Sequence, residues 1–149
     1  MADLSAFATK DSADEGVILP VRINGLKLPI AIKVYGSDSD VVKEFDRAKV
    51  RKLMKTAKKN NNKGFDDDEI DEMLDDQDEG VILRIGGVYA YDWKKKKVVE
   101  GEETKIDGRV IGNDHDSYEY LLEKIPALKE WIKENSDDRD NFLSAGKKN

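Results

Sequence analysis

Few residues in this sequence have the types and spacing that bond chemistry needs. The 149 residues include one histidine and no cysteine, so disulfides, thiol nucleophiles and Cys-based zinc sites are excluded at once. Nucleophilic catalysis requires an activated side chain beside a positioned base. The lone imidazole, His115, lies between Asp114 and Asp116, a polar setting that suits an exposed residue at a loop or helix cap. Gly86-Gly87 has neither the spacing nor the following Lys of a phosphate-binding loop. The acidic run invites a calcium reading, since an EF-hand loop places Gly at its sixth position and a bidentate Glu at its twelfth. Counting from Asp75, the sixth residue is Gly80 but the twelfth is Gly86; counting from Asp11, they are Gly16 and Arg22. Both registers lack the strongest ligand, which leaves only weak, non-selective cation binding at Asp66 to Asp68 open. The expectation is a protein that is not an enzyme, with no cofactor and no dedicated metal site.

Charge is the more informative feature. Asp plus Glu exceed Lys plus Arg by 32 to 26, a net of −6, and charged residues make up 39% of the chain against about 25% in ordinary globular proteins. That balance hides a segregation. Lys43 to Lys63 holds nine basic residues and two acids, a net of +7, while Asp66 to Glu79 holds ten acids and no base. Separately, the first block suggests nucleic acid and the second disorder or cation binding. Together they predict two oppositely charged helices, joined by the Asn60–Gly64 turn and lying antiparallel, with the basic block neutralised within the molecule. The only aromatic residue of the basic helix is Phe45, on its apolar face, so no base-stacking platform is present. Nucleic acid is therefore the weaker reading for residues 43–63.

The length fits one domain, and no apolar run reaches the ~20 residues of a membrane span. Met1 to Lys10 lacks the basic start and apolar stretch of a secretory signal. A soluble cytoplasmic protein with no membrane partner is expected.

The predicted fold is α+β, an N-terminal β-hairpin followed by a mainly α-helical domain. Residues 1–15 read as a flexible arm, 16–143 as one domain and 144–149 as a flexible tail. Asn24-Gly25 between two β-branched runs predicts a hairpin over 17–35, because both central turn residues must take φ > 0. Leu26, Leu28, Ile30, Ile32 and Val34 share the face expected to be buried, and Pro20 and Pro29 belong at an edge or bulge. Helices are expected at about 38–59, 66–79 and 117–135, the last broken near Ile125 by Pro126 and capped by Asp116 with Glu119. Val81 to Trp93 reads as extended. Residues 94–113 read as a long loop with a β excursion at Arg109 to Ile111. The hexapeptide Asp-Glu-Gly-Val-Ile-Leu occurs at 14–19 and again at 78–83, which suggests two strands in equivalent settings.

Without catalytic chemistry, the candidates for function are apolar residues on charged helices. Val42, Phe45, Val50, Leu53 and Met54 share one face of the first long helix, and Trp131 and Ile132 lie on the last. Each fits an ordinary core as well as a groove for a partner helix. Phe142 and Leu143 are the strongest partner candidates, being apolar residues in a polar tail.

Taken in order, these segments resemble the tail assembly chaperones of long-tailed bacteriophages. The match begins at Glu15-Gly16 and a short strand, then Val34-Tyr35-Gly36-Ser37-Asp38-Ser39, where the family has a strand ending in Gly and an Asp-Ser-like helix start. A basic helix, an acidic helix and a stretch ending in an aromatic (Tyr91 or Trp93) follow. The pattern closes with a helix and a Pro-started helix (Leu121, Leu122, Pro126, Leu128, Ile132) and Asn141-Phe142-Leu143. It spans roughly residues 14 to 143, and Lys94 to Gly112 is longer than the pattern. The resemblance implies a non-enzymatic role in the host cytoplasm: binding the tape-measure protein, recruiting tail-tube protein, and self-association along the client. A structural tail or neck subunit retained in the virion and a nucleic-acid-binding regulator are the alternatives.

Overall fold

The computed structural model describes residues 2–61 and 64–143; the tail at 144–149 and the middle of the Asn60–Gly64 turn lie outside the described residues. The hairpin forms as its turn chemistry requires. Asn24 and Gly25 take φ of 51° and 80° and join β1 (Val17–Ile23) to β2 (Leu26–Val34). Pro20 borders a register shift in β1, the edge strand, and Pro29 falls in the unpaired gap opposite it, positions where a sheet tolerates a missing donor. Of the β2 face expected to be buried, Ile30, Ile32 and Val34 are core. Leu26, at the turn, is 71% exposed. The hairpin tip leans on Trp93 instead, whose indole N–H donates to Leu28 O at 2.7 Å and whose ring receives Arg22 and Lys27.

The fold is α+β, but the hairpin does not precede a separate helical domain. It makes half of an antiparallel sheet ordered β1-β2-β3-β4, with β3 at Ile85–Asp92 and β4 at Lys97–Val98. One face of this sheet supplies Val21, Ile30, Ile32, Val34 and Val88 to the core. The helical side supplies Val81, Ile82, Tyr118, Leu121, Leu122, Leu128 and Ile132.

Between the two halves of the sheet the chain leaves as a long helical excursion. Helix α2 (Asp40–Lys59) is capped by Ser39, and α3 (Asp67–Ile82) opens with a capping box between Asp66 and Glu69. Val81 and Ile82 are therefore helical, not the start of the next strand. The repeated hexapeptide accordingly takes two structures. At 14–19 it ends α1 (Lys10–Glu15), turns at Gly16 with φ 83° and enters β1. At 78–83 it stays helical, with Gly80 packed under Phe45. Six residues set a local preference that the surroundings override.

Residues 94–113 carry more structure than a loop. Besides β4 they form a second hairpin, β5 (Thr104–Ile106) and β6 (Arg109–Ile111), turned by Asp107 and Gly108 at φ 50° and 81°. The last helix divides at Pro126 into α4 (His115–Lys124) and α5 (Ala127–Asp137). The α4 cap lies two residues earlier than expected: Asp114, not Asp116, accepts from Ser117 N at 2.8 Å.

The first fifteen residues are not simply an arm. Helix α1 docks, with Ala13 fully buried. Asp14 accepts from the Asp40 backbone N–H at 2.8 Å, and Lys10 pairs with Asp14 at 2.6 Å and Asp40 at 2.9 Å. The C-terminal end closes over the same place. A 3-10 turn at Arg139–Phe142 seats the Phe142 ring, 1% exposed, against Gly36, while Arg139 and Thr9 both donate to Asp38.

Candidate partner-binding surface

The apolar residues singled out from the sequence divide into two groups. Val42, Ile132 and Phe142 are fully enclosed and belong to the core, which corrects the expectation that Phe142 marks a free tail. Its chain folds back because the 3-10 turn caps on Asp138 and is held by the Arg139–Asp38 pair. Phe45, Leu53, Trp131 and Leu143 are half-buried. Val50 and Met54 remain 54% and 68% exposed. Val50 and Met54, flanked by Leu53, present apolar surface outward from the middle of α2, and Val41, 45% exposed, does so at its first turn.

The acidic helix contributes residues that stand at helical spacing in the sequence but were not among the partner candidates. Ile70 and Leu74 of α3 are 44% and 53% exposed. They share a face at i, i+4 spacing, a signal visible in the sequence and read there as a face too small to hold the segment without a packing partner.

The two helices lie antiparallel, as their charges suggested. Asn60 donates to Glu69 at 3.0 Å near the turn, Lys52 pairs with Asp76 at 3.2 Å midway, and Phe45 meets Gly80 near the base. Between them runs a narrow cleft lined by Leu53, Thr56, Phe65 and Met73 with Lys52, Glu69, Glu72 and Asp76 around it. Lys52 also pairs with Glu72, and these two carboxylates raise its pKa. The neutralisation is nevertheless narrow. Among the described residues, Lys52 is the one cation of the basic block in an ion pair with α3, so Arg47, Arg51, Lys55 and Lys58 keep their charge toward solvent. The antiparallel expectation holds; the expectation that the basic block is neutralised internally does not. Salt bridges at this exposure contribute only about 0–1 kcal/mol each, and a glycine with no side chain to clash lets the helices approach at the base.

His115 is exposed, at the first turn of α4, as its acidic neighbours implied. Its Nε2 meets Glu79 at 2.8 Å, and its Nδ1 lies 3.7 Å from Glu119 and 3.8 Å from Asp116. Glu79 first, then the other two carboxylates, raise its pKa. Glu79, His115 and Glu119 are close enough to suggest an ion site. Each offers one ligand atom within 4.8 Å of the others, but all three are exposed, and exposed acidic groups of this kind commonly stand without an ion. The geometry is that of an ion-pair cluster tying α3 to α4.

The surface therefore offers apolar contact within a charged frame. Comparison of the chain with protein-family models, curated proteins and solved structures finds no match.

Proposed function

We propose that this chain is a tail assembly chaperone of a long-tailed bacteriophage, a non-enzymatic protein of the host cytoplasm. It holds helical segments of the tape-measure protein in solution and helps bring tail-tube protein to it. The observation that carries this reading is the exposed apolar stripe on the α2–α3 hairpin, at Val50, Met54, Ile70 and Leu74, set among charges that keep the protein itself soluble. The ordered resemblance along residues 14 to 143 supports it and supplies the identity of the client. A helical client can lay its apolar side along such a stripe at i, i+3 and i+4 anchors. The test is co-expression with the tape-measure protein encoded in the same genome. The client stays soluble and co-purifies with the chaperone, and mass spectrometry of mature particles finds the client without the chaperone. An insoluble client despite abundant chaperone overturns the reading, and a chaperone retained in particles favours a structural virion subunit.

The outward charges of Arg47, Arg51, Lys55 and Lys58 favour one second reading, a regulator that binds nucleic acid. It requires a DNA affinity that falls steeply with salt, and absence of binding at low salt dismisses it.

A further inference from the structure

We infer that the end of the sheet formed by the β1–β2 and β3–β4 turns binds an acidic segment of a partner protein. The inference goes beyond the proposed function and rests on no part of it. Helices α2 and α3 join the sheet at its other end, after Val34 and before Ile85.

The strand register gathers the basic residues of two separate turns. β2 and β3 pair Ile30 with Ala90. The same antiparallel register, carried on toward the turns, sets Lys27 level with Trp93 and Leu26 level with Lys94. Trp93 secures that alignment, because its indole N–H donates to Leu28 O at 2.7 Å. Its ring centroid lies 5.4 Å from the Arg22 guanidinium and 5.3 Å from the Lys27 ammonium. Cation–π contacts of this kind hold both cations in place. Lys94, Lys95 and Lys96 lie in the turn that follows, Lys97 opens β4, and all four are exposed.

Asp92 is the one acid within residues 20–29 and 91–97. Its carboxylate accepts from the backbone N–H groups of Lys94 and Lys95 at 2.9 and 3.2 Å, so it shapes the turn. Among the described residues none of the six cations forms an ion pair. A chain of net charge −6 thus concentrates unpaired positive charge on two adjoining turns. Like charges held this close repel, and a bound anion relieves the repulsion.

The surroundings select a protein segment over a nucleic acid. The patch is short, since four consecutive residues span at most about 14 Å of extended backbone. Glu100, Glu102 and Glu103 follow closely along the chain and would repel a phosphate backbone running on past the lysines. The Trp93 ring already carries two cations and meets Tyr91 edge-on at 80°, contacts that compete with a nucleobase for it. Leu26, 71% exposed beside the cations, offers apolar contact to a side chain and nothing to a phosphate. The occupant is an Asp- and Glu-rich segment that carries an apolar residue.

Nuclear magnetic resonance titration of the isotope-labelled full chain tests this, with a short peptide of Asp and Glu around one Leu as the probe. Shifts are expected at residues 22–28 and 91–98, the Trp93 indole N–H among them, and binding weakens as salt rises. The variant Lys94→Gln, Lys95→Gln and Lys97→Gln should bind the peptide about tenfold more weakly, a loss of about 1.4 kcal/mol. Its unchanged resonances in β1 and β2 show that it is folded, and the wild-type shift map decides the matter without it. No shift at low salt overturns the inference, as do shifts spread equally over the cations of α2 or a variant that binds as wild type does. A single-stranded oligonucleotide that moves the Trp93 resonance at lower concentration than the peptide overturns it in favour of nucleic acid.

Discussion

A methyl group added at Gly36 would lie 2.7 Å from the Ala13 Cβ and 3.1 Å from the Phe142 ring. Ala13 has no rotamer to change and Phe142 is enclosed, so Gly36→Ala must shift backbone, at a cost of about 1–3 kcal/mol as for other overpacked sites. Phe142→Ala removes the same contact from the other side and lowers stability by about 3–5 kcal/mol. Urea denaturation of both variants checks the pair, and a Phe142→Ala loss below 1 kcal/mol would mean that the ring is not part of the core. Nearby, Asp38 accepts two hydrogen bonds from the Arg139 guanidinium, at 2.8 and 2.9 Å, and a third from Thr9. Arg139 chiefly, then Thr9, hold its carboxyl down to about 2. A folded-state pKa below the ordinary value means stability that is present above about pH 4 and is lost as pH falls toward 2. With Arg139 largely exposed, the contribution is about 1–2 kcal/mol. Arg139→Ala should therefore lower the urea midpoint at pH 6 and reduce its fall between pH 4 and 2. These contacts were not legible in the sequence, because Gly36, Phe142, Ala13 and Asp38 come together only when both chain ends fold back onto one spot. Val50 and Met54, by contrast, were legible from helical spacing alone.

Among the elements, turn chemistry was the most readable signal. Asn24-Gly25 and Asp107-Gly108 carry the same positive φ requirement, yet only the first was flanked by β-branched runs long enough to predict a hairpin. The second joins strands of three residues each, too short for period-two alternation to stand out. The α3 boundary failed for a different reason. Val81 and Ile82 have strand propensity, but a helix that buries them against α4 and α5 gains more than a strand begun four residues earlier. The outer half of α3 has little such packing, so its cap matters. Asp66 accepts from Glu69 N at 2.8 Å, and Glu69 returns a bond to Asp66 N at 3.1 Å. Asp66→Ala should cost about 1 kcal/mol. The loss should appear in hydrogen exchange as faster amides over residues 67–76, with the β2 and β3 amides unchanged. Uniform loss of protection would show that α3 unfolds only with the whole chain.

At the scale of the molecule, a packed body of sheet and helices carries a charged helical hairpin with one apolar side. The sequence's high charge thereby acquires a place: Lys52 is tied to α3, while Arg47, Arg51, Lys55 and Lys58 point to solvent. The central claim is that this side is where another protein docks. Val50→Asp with Met54→Asp tests it most directly, because both residues are exposed and the double variant should keep wild-type stability within about 0.5 kcal/mol per site. The measurement is the amount of soluble tape-measure protein that co-purifies with wild type and with the double variant from parallel co-expressions. The account predicts a soluble complex with wild type and a loss of at least tenfold with the variant, as expected when about 1.4 kcal/mol or more of apolar contact is removed. Equal recovery of client by the two proteins would contradict it.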